Sequence, residues 1–134
     1  MSMAQAEEIL LVDDSSDDAA FIVRAFKKHG VTNPVHVVSS GDEALAYLKC
    51  VDGTLPKVVL LDGRMPGMDG YAVLDAIRAN PAWNGLPVVM LTGSDTVQEL
   101  DRAYEHGATA FIGKPSSQRD MEYVITEFRR RWLR

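Results

Sequence analysis

Short apolar runs alternate along the chain with segments of helical periodicity, and this alternation constrains the fold more than any other feature. Three runs are strong strand candidates, namely Ile9–Val12, Val58–Leu61 and Val88–Leu91. Two weaker candidates are Val35–Val38 and Ala110–Ile112. The strong runs are rich in β-branched residues and are followed at once by polar or glycine residues, which is typical of strands buried on both faces of a parallel sheet.

The segments between these runs predict five helices. They are expected to begin at or near Ser16, Ser40, Asp69, Ser94 and Ser117. Ser15 or Ser16 is a suitable N-cap for the first helix, and Ser40 with Glu43 has the capping-box pattern. A fivefold strand–helix alternation predicts an α/β domain with a doubly wound, mainly parallel sheet and helices on both of its faces.

Length and charge limit the classes of function. The chain of 134 residues fits one domain, 1–134 with a core of about 8–133, and leaves no room for an output domain. Its net charge of −5 gives no general attraction for nucleic acid or anionic membranes. The longest pure aliphatic runs have four residues, whereas a membrane span needs about 20. With a lone cysteine and no signal peptide, these features predict a soluble, cytoplasmic protein that binds neither nucleic acid nor membrane.

Polar side chains follow four of the predicted strands. Asp13 and Asp14 follow the first strand, Asp62 follows the third, Thr92 the fourth and Lys114 the fifth. The carboxyl ends of parallel strands meet at one edge of a sheet, where ligands bind. Each residue alone is more often a helix cap or a turn residue, so the hypothesis of a site depends on their joint placement.

The chemistry of this set points to phosphate. Three clustered carboxylates repel one another unless a cation lies between them, and hard oxygen ligands suit Mg²⁺. A carboxylate beside such a metal can attack phosphorus as a nucleophile. The ammonium of Lys114 and the hydroxyl of Thr92 would then bind the phosphoryl oxygens.

Several motifs together resemble the receiver domain of two-component response regulators, the CheY-like fold of the flavodoxin-like class. They are Ile9–Asp14, Leu60–Gly70, Leu91–Gly93, Gly107–Ala108 and Lys114–Pro115. The resemblance covers nearly the whole chain, from about residue 8 to 133. It implies a five-stranded parallel sheet in the order 2-1-3-4-5, which is the order that describes this fold in general.

The resemblance also implies a metal and an acceptor. Asp62 would accept the phosphoryl group. Asp13 and Asp14 would form the acidic pair, and Asp14 and Asp62 would bind Mg²⁺ directly. Arg64, two residues after the acceptor, would offer its backbone carbonyl to the metal.

Three further residues acquire roles by the same resemblance. Thr92 and Lys114 would bind the phosphoryl group, and Phe111 stands where the family places its switch aromatic. Because Phe111 lacks a hydroxyl, a switch there would work by packing alone. Gly63 departs from the family, since an apolar residue is common after the acceptor.

The implied function is that of a stand-alone response regulator rather than a metabolic enzyme, although such a domain catalyses its own phosphotransfer and dephosphorylation. A histidine kinase or phosphotransfer protein would phosphorylate it. The segments Ser15–Asp18, Pro81–Trp83 and Trp132–Leu133 are similar to those of single-domain regulators paired with bacterial phytochromes.

Output would come from a protein partner, and we expect the face of the fourth helix, fifth strand and fifth helix to bind it or to form a homodimer. The large side chains of this face are Tyr104, Phe111, Tyr123 and Trp132. Aromatic residues are enriched at protein interfaces. The alternative is that Phe111 and Trp132 only pack against their own helices.

Three other functions were weighed against this one. A phosphohydrolase of the haloacid-dehalogenase type also uses Asp, Mg²⁺ and Lys, but places an Asp-x-Asp pair after its first strand, where this chain has Asp13–Asp14. A flavin carrier needs a hydroxyl- and glycine-rich phosphate loop there. A degenerate receiver that serves only as a scaffold would lack part of the site.

Overall fold

A computed structural model describes residues 8–50, 55–63, 69–92, 97–113 and 118–133. Its elements in chain order are β1 (Ile9–Val12), α1 (Ser16–Lys28), β2 (Val35–Val38), α2 (Gly41–Cys50), β3 (Val58–Asp62), α3 (Gly70–Ala79), a 3₁₀ turn (Pro81–Trp83), β4 (Val88–Thr92), α4 (Val97–Glu105), β5 (Ala110–Gly113) and α5 (Gln118–Trp132). The predicted alternation of strands and helices is confirmed.

The five strands form one parallel sheet in the order β2-β1-β3-β4-β5, as the resemblance implied. Strand β1 is central to the site because it pairs on one side with β2 and on the other with β3, Ile9 lying opposite both Val35 and Val58. The strand order reverses between β1 and β3, and such a reversal opens a crevice beyond the carboxyl ends of the strands.

Three strands extend one residue further than the sequence predicts. Strands β3, β4 and β5 end at Asp62, Thr92 and Gly113. The reason is that the ladder continues: Asp62 lies opposite Leu91, and Thr92 lies opposite Gly113. The backbone of Asp62 is therefore fixed by a neighbouring strand instead of belonging to a loop.

Two helix starts agree with the sequence. Ser15 caps α1, and its hydroxyl accepts a hydrogen bond from the backbone N–H of Asp18 at 3.2 Å. Asp69 caps α3, and its carboxylate accepts from the N–H of Ala72 at 3.0 Å. Such caps satisfy backbone donors that the first turn of a helix leaves without a partner. The predicted starts near Ser94 and Ser117 lie outside the described residues.

The capping box predicted for α2 is only half present. The N–H of Glu43 donates to the hydroxyl of Ser40 at 3.1 Å, as predicted, and α2 begins at Gly41. The carboxylate of Glu43, however, accepts from the hydroxyl of Ser39 at 2.8 Å and from its N–H at 3.4 Å. These hydrogen bonds lower the pKa of Glu43 below its ordinary value.

Each face of the sheet has its own hydrophobic core. We call them the α1/α5 core and the α2/α3/α4 core, after the helices that cover them. In the α1/α5 core, Phe26 stacks on Phe128 with ring centroids 5.7 Å apart, and Trp132 lies against Phe128 at 5.4 Å. In the α2/α3/α4 core, Tyr71, Leu74 and Ile77 of α3 pack on the opposite face of the sheet.

Candidate functional site

Three carboxylates meet at the carboxyl end of β1 and β3. Asp13, Asp14 and Asp62 each offer an oxygen that lies within 4.8 Å of the others. Asp13 and Asp62 are buried, with only 2% and 6% of their surface exposed, whereas Asp14 is exposed. Among the described residues, the cluster therefore reaches solvent through Asp14.

The sheet register places these side chains together. Val12 lies opposite Leu61, so that Asp13 and Asp62, the next residues of each strand, end at the same level. The N–H of Asp13 donates to the carbonyl of Val38 on β2 at 3.1 Å. One carboxylate oxygen of Asp13 accepts from the N–H of Ser15 at 3.0 Å, which ties this side chain to the start of α1.

The donor set fits a hard divalent cation. Three negative charges held within a few ångströms repel each other, and burial of two of them weakens the screening by water. Oxygen-only ligands with one solvent-facing side are what Mg²⁺ and Mn²⁺ prefer. Asp13, Asp14 and Asp62 would hold such an ion.

The structure describes the other predicted site residues only in part. The backbone of Thr92 ends β4 beside β3, immediately after the residue that faces Asp62. The Thr92 side chain, Arg64 and Lys114 lie outside the described residues. Phe111 lies on β5 opposite Met90, half-buried and packed against the α2/α3/α4 core.

The face formed by α4, β5 and α5 exposes large side chains. Tyr104 is 50% exposed and Tyr123 is 70% exposed. A depression of about 300 Å³ between β5 and α5 is lined by Phe111, Tyr123 and Trp132 among others. Trp132 thus both packs on Phe128 and reaches this depression.

The sequence did not predict a polar and aromatic contact between α3 and α4. The guanidinium of Arg102 lies 3.9 Å from the centre of the Tyr71 ring. His106, which the sequence suggested to be a surface or capping residue, contacts Asp75 through Nδ1 at 2.5 Å and lies against Tyr71 at 5.3 Å. The spacing of Arg102 and His106, one helical turn apart, was readable in the sequence, but their partners on α3 were not.

Comparisons with known proteins agree with this geometry. The family model of the response regulator receiver domain matches residues 9–126. The chain belongs to this family. Probable methanogenesis regulatory protein FilR2 of Methanothrix harundinacea is 38% identical to this receiver domain over 128 residues, which cover 93% of this chain and 83% of the relative.

Two solved structures are also similar to this receiver domain. The phosphorylated cyanobacterial phytochrome response regulator RcpA is 28% identical, with a TM-score of 0.84, over 95% of this chain and 94% of that chain. The Mn²⁺-bound form of response regulator Rcp1, a protein of Synechocystis, is 27% identical, with a TM-score of 0.81, over the same shares of the two chains. Similarity to phytochrome-linked regulators, expected from three short segments, is confirmed.

Family membership decides between the functions weighed above. Receiver domains are signalling proteins that interact with histidine kinases and downstream partners and bind Mg²⁺ or Mn²⁺ at an acidic pocket. The alternatives of a haloacid-dehalogenase-type phosphohydrolase and of a flavin carrier are therefore wrong. Among the described residues, no helix has the length and apolar character that crossing a membrane requires.

Proposed function

We propose that residues 8–133 fold as one receiver domain that accepts a phosphoryl group on Asp62 and thereby switches a protein-binding face. The observation that carries this proposal is the convergence of Asp13, Asp14 and Asp62 within 4.8 Å at the end of β1 and β3. A scaffold without this chemistry would have no need for two buried carboxylates beside each other, because their repulsion destabilises the fold.

The chemistry proposed at Asp62 is a direct transfer. A carboxylate oxygen of Asp62 attacks the phosphorus of the donor, and the bond from phosphorus to the leaving group breaks as the new one forms. A bound Mg²⁺ supplies positive charge that offsets the charge of the phosphoryl group. The backbone carbonyl of Arg64 completes the proposed metal ligands, while Thr92 and Lys114 bind the phosphoryl oxygens.

Strand pairing holds Asp62 in a position that suits a nucleophile. Its backbone is fixed by pairing with β4, where Asp62 lies opposite Leu91, and the N–H of Gly63 donates to the carbonyl of Leu91 at 2.9 Å. A nucleophile held in one orientation reacts faster because less orientational freedom is lost at the transition state.

Intact-mass measurement with acetyl phosphate as the donor tests the acceptor. We expect a single phosphoryl group per chain in the presence of Mg²⁺, and none in Asp62→Asn. The matched control is Asp42→Asn, an exposed carboxylate on α2, which should be labelled like the parent. Full labelling of Asp62→Asn would overturn the assignment, and absence of labelling in the parent would favour a degenerate receiver.

We propose Mg²⁺ as the ion of the acidic cluster, with Asp14 and Asp62 as direct ligands. An ion that binds only the folded chain raises its free energy of unfolding. We expect Mg²⁺ to raise the melting temperature of the parent and to do so much less in Asp14→Ala. An equal response in the two proteins would remove Asp14 from the ligand set.

We propose a phytochrome-type histidine kinase as the phosphoryl source. The support is similarity to RcpA, a regulator linked to a cyanobacterial phytochrome. Phosphotransfer from a panel of purified histidine kinases tests it, with rates compared at short reaction times. Preference for a kinase outside the phytochrome class would contradict the proposal while leaving Asp62 as acceptor.

The output we propose is a repacking of Phe111 that follows movement of Thr92 toward the phosphoryl group. The exposed aromatic residues of the α4–β5–α5 face, Tyr104 and Tyr123, would then bind a protein partner or a second copy of the chain. Sedimentation with and without beryllofluoride tests the dimer, and a monomer in both states would exclude it. An unchanged NMR environment of Phe111 would exclude the switch.

A further inference from the structure

Helix α4 holds the first turn of α3 through an aromatic ring. Tyr71, the second residue of α3, is 4% exposed. On its solvent side the guanidinium of Arg102 covers the ring at 3.9 Å, and the ring of His106 lies against it at 5.3 Å. Cation–π contacts of this kind hold a side chain in place without fixing a single hydrogen-bond geometry.

Two carboxylates of α3 complete the contact. His106 Nδ1 lies 2.5 Å from Asp75, and Arg102 lies 4.0 Å from Asp69, the N-cap of α3. The side chains of Arg102 and Asp69 are half-exposed, so the pair adds little to stability by itself. Together, however, Arg102 and His106 fix α4 against the first two turns of α3. We call Arg102, His106 and Tyr71 the clamp.

The residue next to Tyr71 lies directly on the acceptor. A Cβ atom added to Gly70 would lie 2.3 Å from the carbonyl oxygen of Asp62 and 2.8 Å from Cα of Gly63. The backbone of α3 therefore presses against the peptide that carries Asp62. A shift of the first turn of α3 toward β3 would push on this peptide, because a close-packed interior transmits strain.

We infer that Arg102 and His106 are positioning residues for phosphorylation. They hold Tyr71, Tyr71 holds Gly70, and Gly70 constrains the Asp62–Gly63 peptide in addition to the pairing of Asp62 with β4. The inference rests on the proposed role of Asp62 as acceptor. A nucleophile displaced by about 1 Å can lose about two orders of magnitude in rate, so loosening the clamp lowers the maximal rate of phosphorylation.

The test measures the initial rate of phosphorylation across acetyl phosphate concentrations in Arg102→Met and His106→Gln. We expect a maximal rate lower by about tenfold because the acceptor is displaced. The half-saturating concentration of donor should stay unchanged, because neither side chain belongs to the proposed phosphoryl-binding set. Arg102→Lys, which keeps a cation over the ring, should retain most of the parental rate.

Arg131→Met is the matched control. Arg131 also lies over an aromatic ring, 4.6 Å from the centre of Trp132, but on α5. It should retain the parental rate. A merely structural role for the clamp would lower the fraction of molecules that is labelled, not the rate constant of the folded ones.

Two results would overturn the inference. One is a parental maximal rate in folded Arg102→Met and His106→Gln. The other is an equal loss in Arg131→Met, which would show a general effect of removing a stacked arginine. Failure of the proposed function has a different signature, since Asp62→Asn would then be labelled whatever the state of the clamp.

Discussion

The two faces of the sheet are held by different kinds of contact. The α1/α5 core is closed by stacked aromatic rings, Phe26 on Phe128 and Trp132 beside them. On the other face, α3 is joined to its surroundings by charged side chains as well as apolar ones, through Arg102 and Arg78. Apolar packing is strong and nondirectional, whereas polar contacts are weaker but exchange partners easily. We therefore expect loss of the aromatic stack to act on stability alone, and loss of the polar contacts of α3 to act on phosphorylation as well.

The largest effect on the free energy of unfolding should come from removing a ring of the aromatic stack in the α1/α5 core. Phe128 is 1% exposed and contacts the rings of both Phe26 and Trp132. Phe128→Ala should lower the free energy of unfolding by about 3–5 kcal/mol, because it leaves a cavity as well as losing buried apolar surface. Chemical denaturation measures this loss. The folded fraction should keep the parental rate of phosphorylation, and a large fall in that rate would contradict the separation of roles between the faces.

Arg78 makes several polar contacts on the other face. Its guanidinium donates to the carbonyls of Gly107 and Leu86, each at 2.8 Å, and burial lowers its pKa below the ordinary value. Arg78→Met should lower the free energy of unfolding by about 1–3 kcal/mol, since carbonyl groups lose their donors. Arg78→Lys, which keeps the charge but cannot reach both carbonyls, should give an intermediate loss in urea denaturation. Equal stability of Arg78→Met and the parent would refute this view.

Helix caps offer a matched pair, one on each face. Ser15 caps α1 and Asp69 caps α3, each with an oxygen that accepts from a backbone N–H. Ser15→Ala and Asp69→Ala should each lower the free energy of unfolding by about 1 kcal/mol. Thermal melts of the two variants should agree, because a cap acts locally. Losses that differ severalfold would mean that the faces differ in helix stability as well as in packing.

The smallest effect concerns Tyr47 of α2, whose hydroxyl donates to Glu8 and whose ring stacks on His36 at 4.0 Å. Burial, reinforced by Glu8, raises the pKa of Tyr47 to about 12. The neutral phenol is thus favoured in the folded chain. Its contribution to the free energy of unfolding is complete below the unfolded pKa of about 10 and is lost as pH rises toward 12.

Comparison of the parent with Tyr47→Phe isolates the contribution of the Tyr47 hydroxyl to the free energy of unfolding. Between about pH 10 and about pH 12, the free energy of unfolding of the parent should fall by under about 1 kcal/mol relative to that of the variant. The loss is small because solvent screens the group. Denaturation curves at a series of pH values check it. A difference that stays constant from neutral pH to pH 12 would contradict it.

The sequence predicted the fold to within a residue at most strand ends because buried parallel strands and amphipathic helices leave local periodic patterns. It also placed Asp13 and Asp62 at one edge, since topology alone brings strand ends together. It missed that Asp62 belongs to the ladder, because pairing with Leu91 depends on a strand distant in sequence. The contact of Arg102 with Tyr71 was hidden for the same reason, since side-chain partners on different helices follow from packing and not from spacing.

The register that sets Asp13 beside Asp62 also has a consequence for how the chain folds. These residues are 49 positions apart, and both strands that pair with β1, namely β2 and β3, come later in the sequence. Such non-local pairing is slow because the loop must close before any contact compensates for the lost chain entropy. A nascent chain that ends before β3 therefore has no acidic cluster. An ion that binds this cluster would recognise only a chain that has already closed this loop, and would therefore stabilise the folded chain without binding the nascent one.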